Sequence, residues 1–294
     1  MRRSLLFLPG NNPNMLINAG YLGSDAVIFD LEDAVSPAEK DAARILVRNT
    51  MRDMELSCEK IVRINSVDTA FWKADLDMIM PMRPQLILLP KVNSPKDIEE
   101  VDGYMTEVEQ RLGYERNTVG LMPLIETAMG VENSYSIATS SSRVQALFLG
   151  AEDLTADLQC KRTKEGREIE YARTRLVVAA RAAGIDVYDT PFTDVNDDEG
   201  IFTDASLAKS LGFTGKASIS PRHVEVINSV FSPTMAEIDY AYDVIEAIET
   251  AKKQGKGAIS LNGKMIDAPI VARAERTIAM AKALGMERRD EDCE

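Results

Sequence analysis

Short, unbroken runs of Leu, Ile and Val recur along the chain, separated by longer stretches whose apolar residues return every three or four positions. Eight runs stand out: SLLFLP (4–9), DAVIFD (25–30), KIVRIN (60–65), QLILLP (85–90), VGLMPLI (119–125), VQALFLG (144–150), GIDVYD (184–189) and GKASI (215–219). Continuous rather than alternating hydrophobicity predicts strands buried on both faces, as in a parallel sheet. The intervening stretches carry helix signals. SPAE at 36–39 places Ser36 as N-cap, Pro37 at the first helical position and Glu39 as a capping-box partner, and SPKD at 94–97 repeats the cap and proline. In REIEYARTRLVVAARAAG, Ile169, Ala172, Leu176, Ala180 and Ala183 form one apolar face, and Gly184 ends the helix. Eight strand-then-helix units predict an α/β chain folded as a (β/α)8 TIM-type barrel over residues 1–230.

Past residue 230 the alternation stops. SPTMAEIDYAYDVIEAIETAKKQG predicts one amphipathic helix with a Thr234/Glu237 capping box. GAISLNGKMID predicts a hairpin turning on Asn262-Gly263 in a type I′ turn, and a last helix begins near Pro269. Residues 231–294 are therefore an appended helix–hairpin–helix segment.

Charge narrows the partners. With 47 acidic against 34 basic residues and a net charge of −13, neither nucleic acid nor an anionic membrane suits the chain. No apolar run approaches membrane length, and the one before Pro9 is too short for a signal segment. Cys58, Cys160 and Cys293 are scattered without a C-x-x-C pair, which fits a reducing compartment. A cytoplasmic protein is expected.

The active face of such a barrel lies at the C-terminal ends of its strands. There the second strand leaves Asp30, Glu32 and Asp33, the third Arg63 and Asn65, the fourth Lys91, the fifth Glu126, and the sixth Glu152 and Asp153. Any one of these acids could simply favour a helix N-terminus. Glu126 and Asp153 end adjacent strands, whose backbones run ~4.8 Å apart, and carboxylates that close repel unless they share a proton or hold a cation. Hard oxygen donors without His or Cys favour Mg²⁺, with Mn²⁺ also compatible, and Mg²⁺ takes one or two carboxylates and fills its octahedron with water and substrate oxygens. The DLED acids could then orient metal-bound water.

Other chemistries lack their residues. No G-x-G-x-x-G follows a strand, and GKGAISLNGKM has the wrong spacing for a P-loop, with Met265 where Ser or Thr is required. His223 is the only histidine, which excludes a triad built on a histidine elsewhere. It is expected to be structural, as is the lone Trp72.

Taken in order, LLFLPGN, VIFDLEDAV, VRIN, LPK, LIET, LGAEDL, GKASISPRHV and SLNGKMIDAP closely resemble the citrate lyase β/malyl-CoA lyase family, from about residue 3 to 285. The resemblance implies Mg²⁺-dependent cleavage of a citryl thioester, carried on an acyl carrier protein, to oxaloacetate and an acetyl thioester. It implies as partners the citryl/acetyl-acyl carrier protein and the citrate lyase α (transferase) subunit, within a homo-trimer or a hexamer of trimeric units. By position it makes Glu126 and Asp153 metal ligands, Arg63 the substrate-binding arginine, and Glu32 and Asp33 the holders of metal-bound water. Gly150, Ala151 and Glu152 match a loop whose N–H groups receive a substrate carboxylate, and Asp267 matches an acid that reaches a neighbouring subunit's site. Standing just before Ala268-Pro269, Asp267 could instead simply cap the final helix. The segment KASISP departs from the family's KSLINP-like pattern on the thioester-carrier side.

Three rival expectations stand beside this one: a lyase of a free CoA thioester such as citramalyl- or malyl-CoA, a Schiff-base aldolase using Lys91, and a non-catalytic subunit that only positions a carrier protein.

Overall fold

All eight apolar runs form strands: β1 (Ser4–Pro9), β2 (Ala26–Asp30), β3 (Glu59–Arg63), β4 (Leu86–Leu89), β5 (Gly120–Ile125), β6 (Ala146–Leu149), β7 (Asp186–Asp189) and β8 (Gly215–Ser218). They pair in sequence order and in parallel, and β8 returns to β1 from Ser4↔Lys216 to Leu6↔Ser218, closing the barrel. This computed structural model describes residues 1–253, 259–261 and 264–288. The described residues fall into two compact units, Arg2–Asn228 and a second that begins at Ser229 and includes Met1.

Burial on both strand faces explains the continuous apolar runs. Leu5, Ile28, Ile61, Leu88, Met122 and Phe148 cluster on one face, and their strand neighbours Val27, Phe29, Val62 and Ile87 are equally buried on the other. Each such side chain contributes about 1.5–3 kcal/mol relative to exposure. The polar strand ends are thus carried on a rigid ring.

The helix signals hold at most positions. Ser94 and Asp97 form a reciprocal capping box on Pro95–Leu112, and Gly184 ends Glu170–Ala183 in the left-handed region at φ 73°. The Ser36/Glu39 box does not form. Pro37–Glu39 is a 3₁₀ turn, and the Glu39 carboxylate instead accepts from Asn11 Nδ2 at 2.7 Å and Ser36 Oγ at 3.3 Å, before the helix Lys40–Asp53 begins. Trp72 is buried edge-on against Tyr104, and His223 is fully buried beside the Phe192 ring, both structural placements.

In the second unit the helix Met235–Lys253 starts on the Thr234/Glu237 box. Strands β9 (Ile259–Leu261) and β10 (Lys264–Ile266) are antiparallel, with Leu261 opposite Lys264. The Asn262-Gly263 turn lies outside the described residues. The last helix, Ala268–Ala283, packs on Met235–Lys253 around Ala241, Val244, Ile266 and Ala274. No helix among the described residues is long and apolar enough to cross a membrane.

Candidate active site at the mouth of the barrel

A cavity of about 460 Å³ opens at the C-terminal ends of the strands, and Asp33, Arg63, Glu126, Gly150, Ala151, Glu152 and Asp153 all line it. Asp30, Phe7 and Thr190 line it too. Glu32 sits buried behind Arg63. Asp267 belongs to the second unit, where it caps Ala268–Ala283 by accepting the Ile270 N–H at 3.4 Å.

The acids that close β2 have distinct tasks. The Asp30 carboxylate accepts Arg63 Nε at 2.7 Å and Nη2 at 2.5 Å, together with the N–H of Glu32 at 2.9 Å and of Ala34 at 3.2 Å. Those bonds fill its acceptor capacity, fixing the arginine fork and folding the loop at once. From below, buried Lys40 donates to the carbonyls of Leu31 at 2.7 Å and Glu32 at 2.6 Å. Glu32 in turn lies 3.1 Å from Arg63 Nη1 and 2.8 Å from Lys91 Nζ, whereas Asp33 is open and only 3.7 Å from Lys91. Burial opposes the Arg63 charge, but Asp30, backed by Glu32 and Glu126, holds the guanidinium above its ordinary pKa. Arg63 also lies over the Phe7 ring, 5.1 Å from its centroid.

Glu126 follows β5 and is almost wholly buried. Lys91 adopts the left-handed region at φ 56°, uncommon for a residue with a Cβ, and its N–H donates to Glu126 Oε1 at 2.7 Å. The other oxygen lies across Gly150, where a Cβ would come within 2.6 Å of Oε2, so only glycine fits beneath this carboxylate. Burial, then the charges of Asp153 and Glu32, push Glu126 up to about 8. Burial likewise raises Glu32, against the pull of Arg63.

Crowded carboxylates that resist ionising together suit a divalent cation, which would relieve both the repulsion and the burial cost. Among the described residues no group of three or more His, Cys, Asp or Glu could hold a metal ion. Glu126 and Asp153, which both line the cavity, would supply only two oxygen donors, a number that fits Mg²⁺ with water and substrate completing its shell.

The β6 loop departs from expectation. The Gly150 N–H donates to Ile125 O at 3.0 Å and the Ala151 N–H to Thr190 Oγ1 at 3.2 Å. Two of the three N–H groups expected to receive a carboxylate are thus already engaged. That of Glu152, in the first turn of Ala151–Asp157, is one that helix geometry leaves without an intrahelical partner. The Glu152 side chain, at the rim of the cavity, is exposed and lies 3.8 Å from Arg162. Lys91 Nζ is paired with the Glu32 carboxylate at 2.8 Å, and donating to it raises the Lys91 pKa, which disfavours the neutral amine a Schiff-base nucleophile requires.

Reading strand ends alone missed the clamp by Asp30, the Lys40 anchor and Thr190. The Asp30 signal lies in D-L-E-D-A itself, since a short acid that accepts N–H groups further along its own chain commonly folds a turn. Thr190 gave no local signal, because its partner Ala151 is 39 residues away.

Fold and cavity together define a (β/α)8 barrel whose mouth gathers carboxylates beside a clamped arginine. The chain belongs to the HpcH/HpaI aldolase/citrate lyase family, whose model matches residues 3–221. It is 45% identical to the citrate lyase subunit beta of Leuconostoc mesenteroides subsp. cremoris, over 96% of this chain and 94% of that one. It is 32% identical to the mitochondrial citramalyl-CoA lyase of Homo sapiens, over 96% and 86%. A citrate lyase beta subunit from M. tuberculosis, solved with oxaloacetate and magnesium, superposes with a TM-score of 0.67 at 30% identity, covering 79% of this chain and 97% of that one.

Proposed function

We propose that the protein is a Mg²⁺-dependent carbon–carbon lyase that cleaves a citryl thioester to oxaloacetate and an acetyl thioester. The observation that carries this reading is the buried Glu126 carboxylate, laid across Gly150 beside Asp153 and opposite a clamped arginine. The magnesium and oxaloacetate of the M. tuberculosis relative support it.

In retro-Claisen cleavage the tertiary hydroxyl loses its proton and its carbon becomes the ketone of oxaloacetate. The bond to the CH₂ beside the thioester breaks, and its electron pair forms a thioester enolate that takes a proton to give the acetyl thioester. Mg²⁺ held by Glu126 and Asp153 would supply Lewis-acid stabilisation to the substrate oxygens. Arg63 presents a permanent planar cation to a substrate carboxylate or to the enolate oxygen, and Asp30 keeps that fork from turning. Phe7, Leu124 and Phe148 give the cavity an apolar wall against which the nascent carbanion would form.

We assign proton transfer to Asp267 of a neighbouring subunit, in a homo-trimer or a hexamer of trimers. An Asp267→Asn chain and a Glu126→Gln chain, each inactive alone, should regain activity when co-assembled. Mixed oligomers that stay inactive would reject the shared site. Acyl carrier protein is the proposed carrier and the citrate lyase α subunit the proposed partner, in the cytoplasm. A free CoA thioester is the second reading, favoured by the 32% identity to citramalyl-CoA lyase. Comparing kcat/KM for citryl-acyl carrier protein, citramalyl-CoA and malyl-CoA tests the choice. Preference for a CoA substrate would overturn the carrier, and inactivity on all three would leave a non-catalytic, carrier-positioning subunit.

A further inference from the structure

We infer that Thr190 is a positioning residue for Asp153, and that a buried ion cluster behind the barrel wall fixes Thr190; this rests on the proposed metal-binding role of Asp153 and Glu126. Tyr188 and Ala217 belong to the core cluster, so their strand neighbours Asp189 and Lys216 face the opposite side of the wall. There they meet Arg173 from Glu170–Ala183 and Asp204 from Asp198–Leu211. Arg173 bonds Asp189 through Nε at 3.0 Å and Nη2 at 2.9 Å, and Asp204 through Nη2 at 2.7 Å.

Lys216 lies 2.6 Å from Asp189 Oδ2, from Asp204 Oδ2 and from the Thr190 carbonyl. Of these contacts, Lys216 donates hydrogen bonds to the Asp189 carboxylate and to the Thr190 carbonyl, so one of its three N–H groups is spent on the backbone of Thr190. The Thr190 hydroxyl then accepts the Ala151 N–H at 3.2 Å. Ala151 is the first residue of the helix whose third is Asp153, and the preceding Gly150 is tied to Ile125 O beside Glu126. The turn carrying one proposed ligand is thus bonded on one side to the strand carrying the other, and on the other side to Thr190. Removing the Thr190 oxygen leaves a buried N–H without an acceptor and frees the turn to move relative to Glu126.

The test is a Mn²⁺ titration followed by electron paramagnetic resonance, with a thermal melt for each protein. Thr190→Val keeps the volume and loses the oxygen, and it should weaken Mn²⁺ binding roughly tenfold or more, as loss of an outer-shell partner does. Thr190→Ser, which keeps the oxygen, should restore affinity close to wild type. If the valine variant does not fold, Thr190→Ala removes the same acceptor and is read the same way. A folded variant without the oxygen that melts lower yet binds Mn²⁺ like wild type would overturn the inference, since that is all a purely structural threonine would do. Failure of the metal reading looks different: the wild type would bind no Mn²⁺, or Glu126→Gln would bind it unchanged, and the inference would fall with it.

Discussion

Two charged clusters sit on either side of the same barrel wall. Behind it, Arg173 and Lys216 face Asp189 and Asp204, two cations for two carboxylates, all buried. At the mouth, the five acids Asp30, Glu32, Asp33, Glu126 and Asp153 gather around three cations, Arg63, Lys91 and the buried Lys40. Burial raises the pKa of a carboxylate in both places, yet the outcomes are opposite. For Asp204 the nearby Lys216 and Arg173 overcome burial and lower the pKa. For Glu126 the nearby charges are mostly of the same sign, and it rises to about 8. A balanced cluster holds helices to strands, whereas an acidic excess in an open cavity is strain that a divalent cation would relieve.

The contrast is broken most forcefully from the balanced side. Asp204→Asn leaves Lys216 and Arg173 short of a counter-charge, and severing a buried pair costs about 3–5 kcal/mol. Chemical denaturation should show that loss, and a near-neutral result would mean the cluster is not what holds this wall.

At the mouth, Arg63→Lys keeps the charge but loses the fork that Asp30 grips. Turnover should fall by about 10²-fold, in the range for a lost oxyanion donor, while the melting temperature changes little. Wild-type kcat and KM would reduce Arg63 to a structural ion pair.

The two sites should also respond oppositely to pH. Glu126 is raised from an ordinary 4.5 to about 8, so the folded state binds its proton more tightly than the unfolded chain. Its stabilisation is complete below pH 4.5 and is lost as pH rises towards 8. In EDTA, unfolding free energy should therefore decline across that interval, and Glu126→Gln should flatten the decline. Asp204, lowered by its cations, contributes stability at neutral pH that disappears on acidification. The smallest effect belongs to Asp33, more than half exposed and 3.7 Å from Lys91. Asp33→Asn should shift stability by at most about 0.5 kcal/mol, and a larger loss would show that the acidic loop depends on it.

How legible each region was in the sequence follows from the range of its contacts. The strands were readable because burial on both faces leaves runs such as LILL and ALFL with no polar interruption. Barrel closure then brought Arg63, Glu126 and Asp153 to one cavity. What escaped was carried by contacts distant in sequence or by backbone conformation. Asp30 reads as another acid in a row until Arg63, 33 residues away, is seen to grip it. The left-handed Lys91 has no compositional mark, since such positions usually call for glycine. Gly150 and Ala151 kept their place, but the N–H groups they offer are engaged by Ile125 and Thr190.

The most direct measurement is oxaloacetate release from a citryl thioester by the purified chain, with Mg²⁺ and then with EDTA, for the wild type and for Asp153→Asn. The acidic excess at the mouth predicts turnover with Mg²⁺, none with EDTA, and a loss of more than about 100-fold in the variant, beyond the effect of an outer-shell change. Turnover that survives EDTA, or an Asp153→Asn protein as active as the wild type, would contradict it.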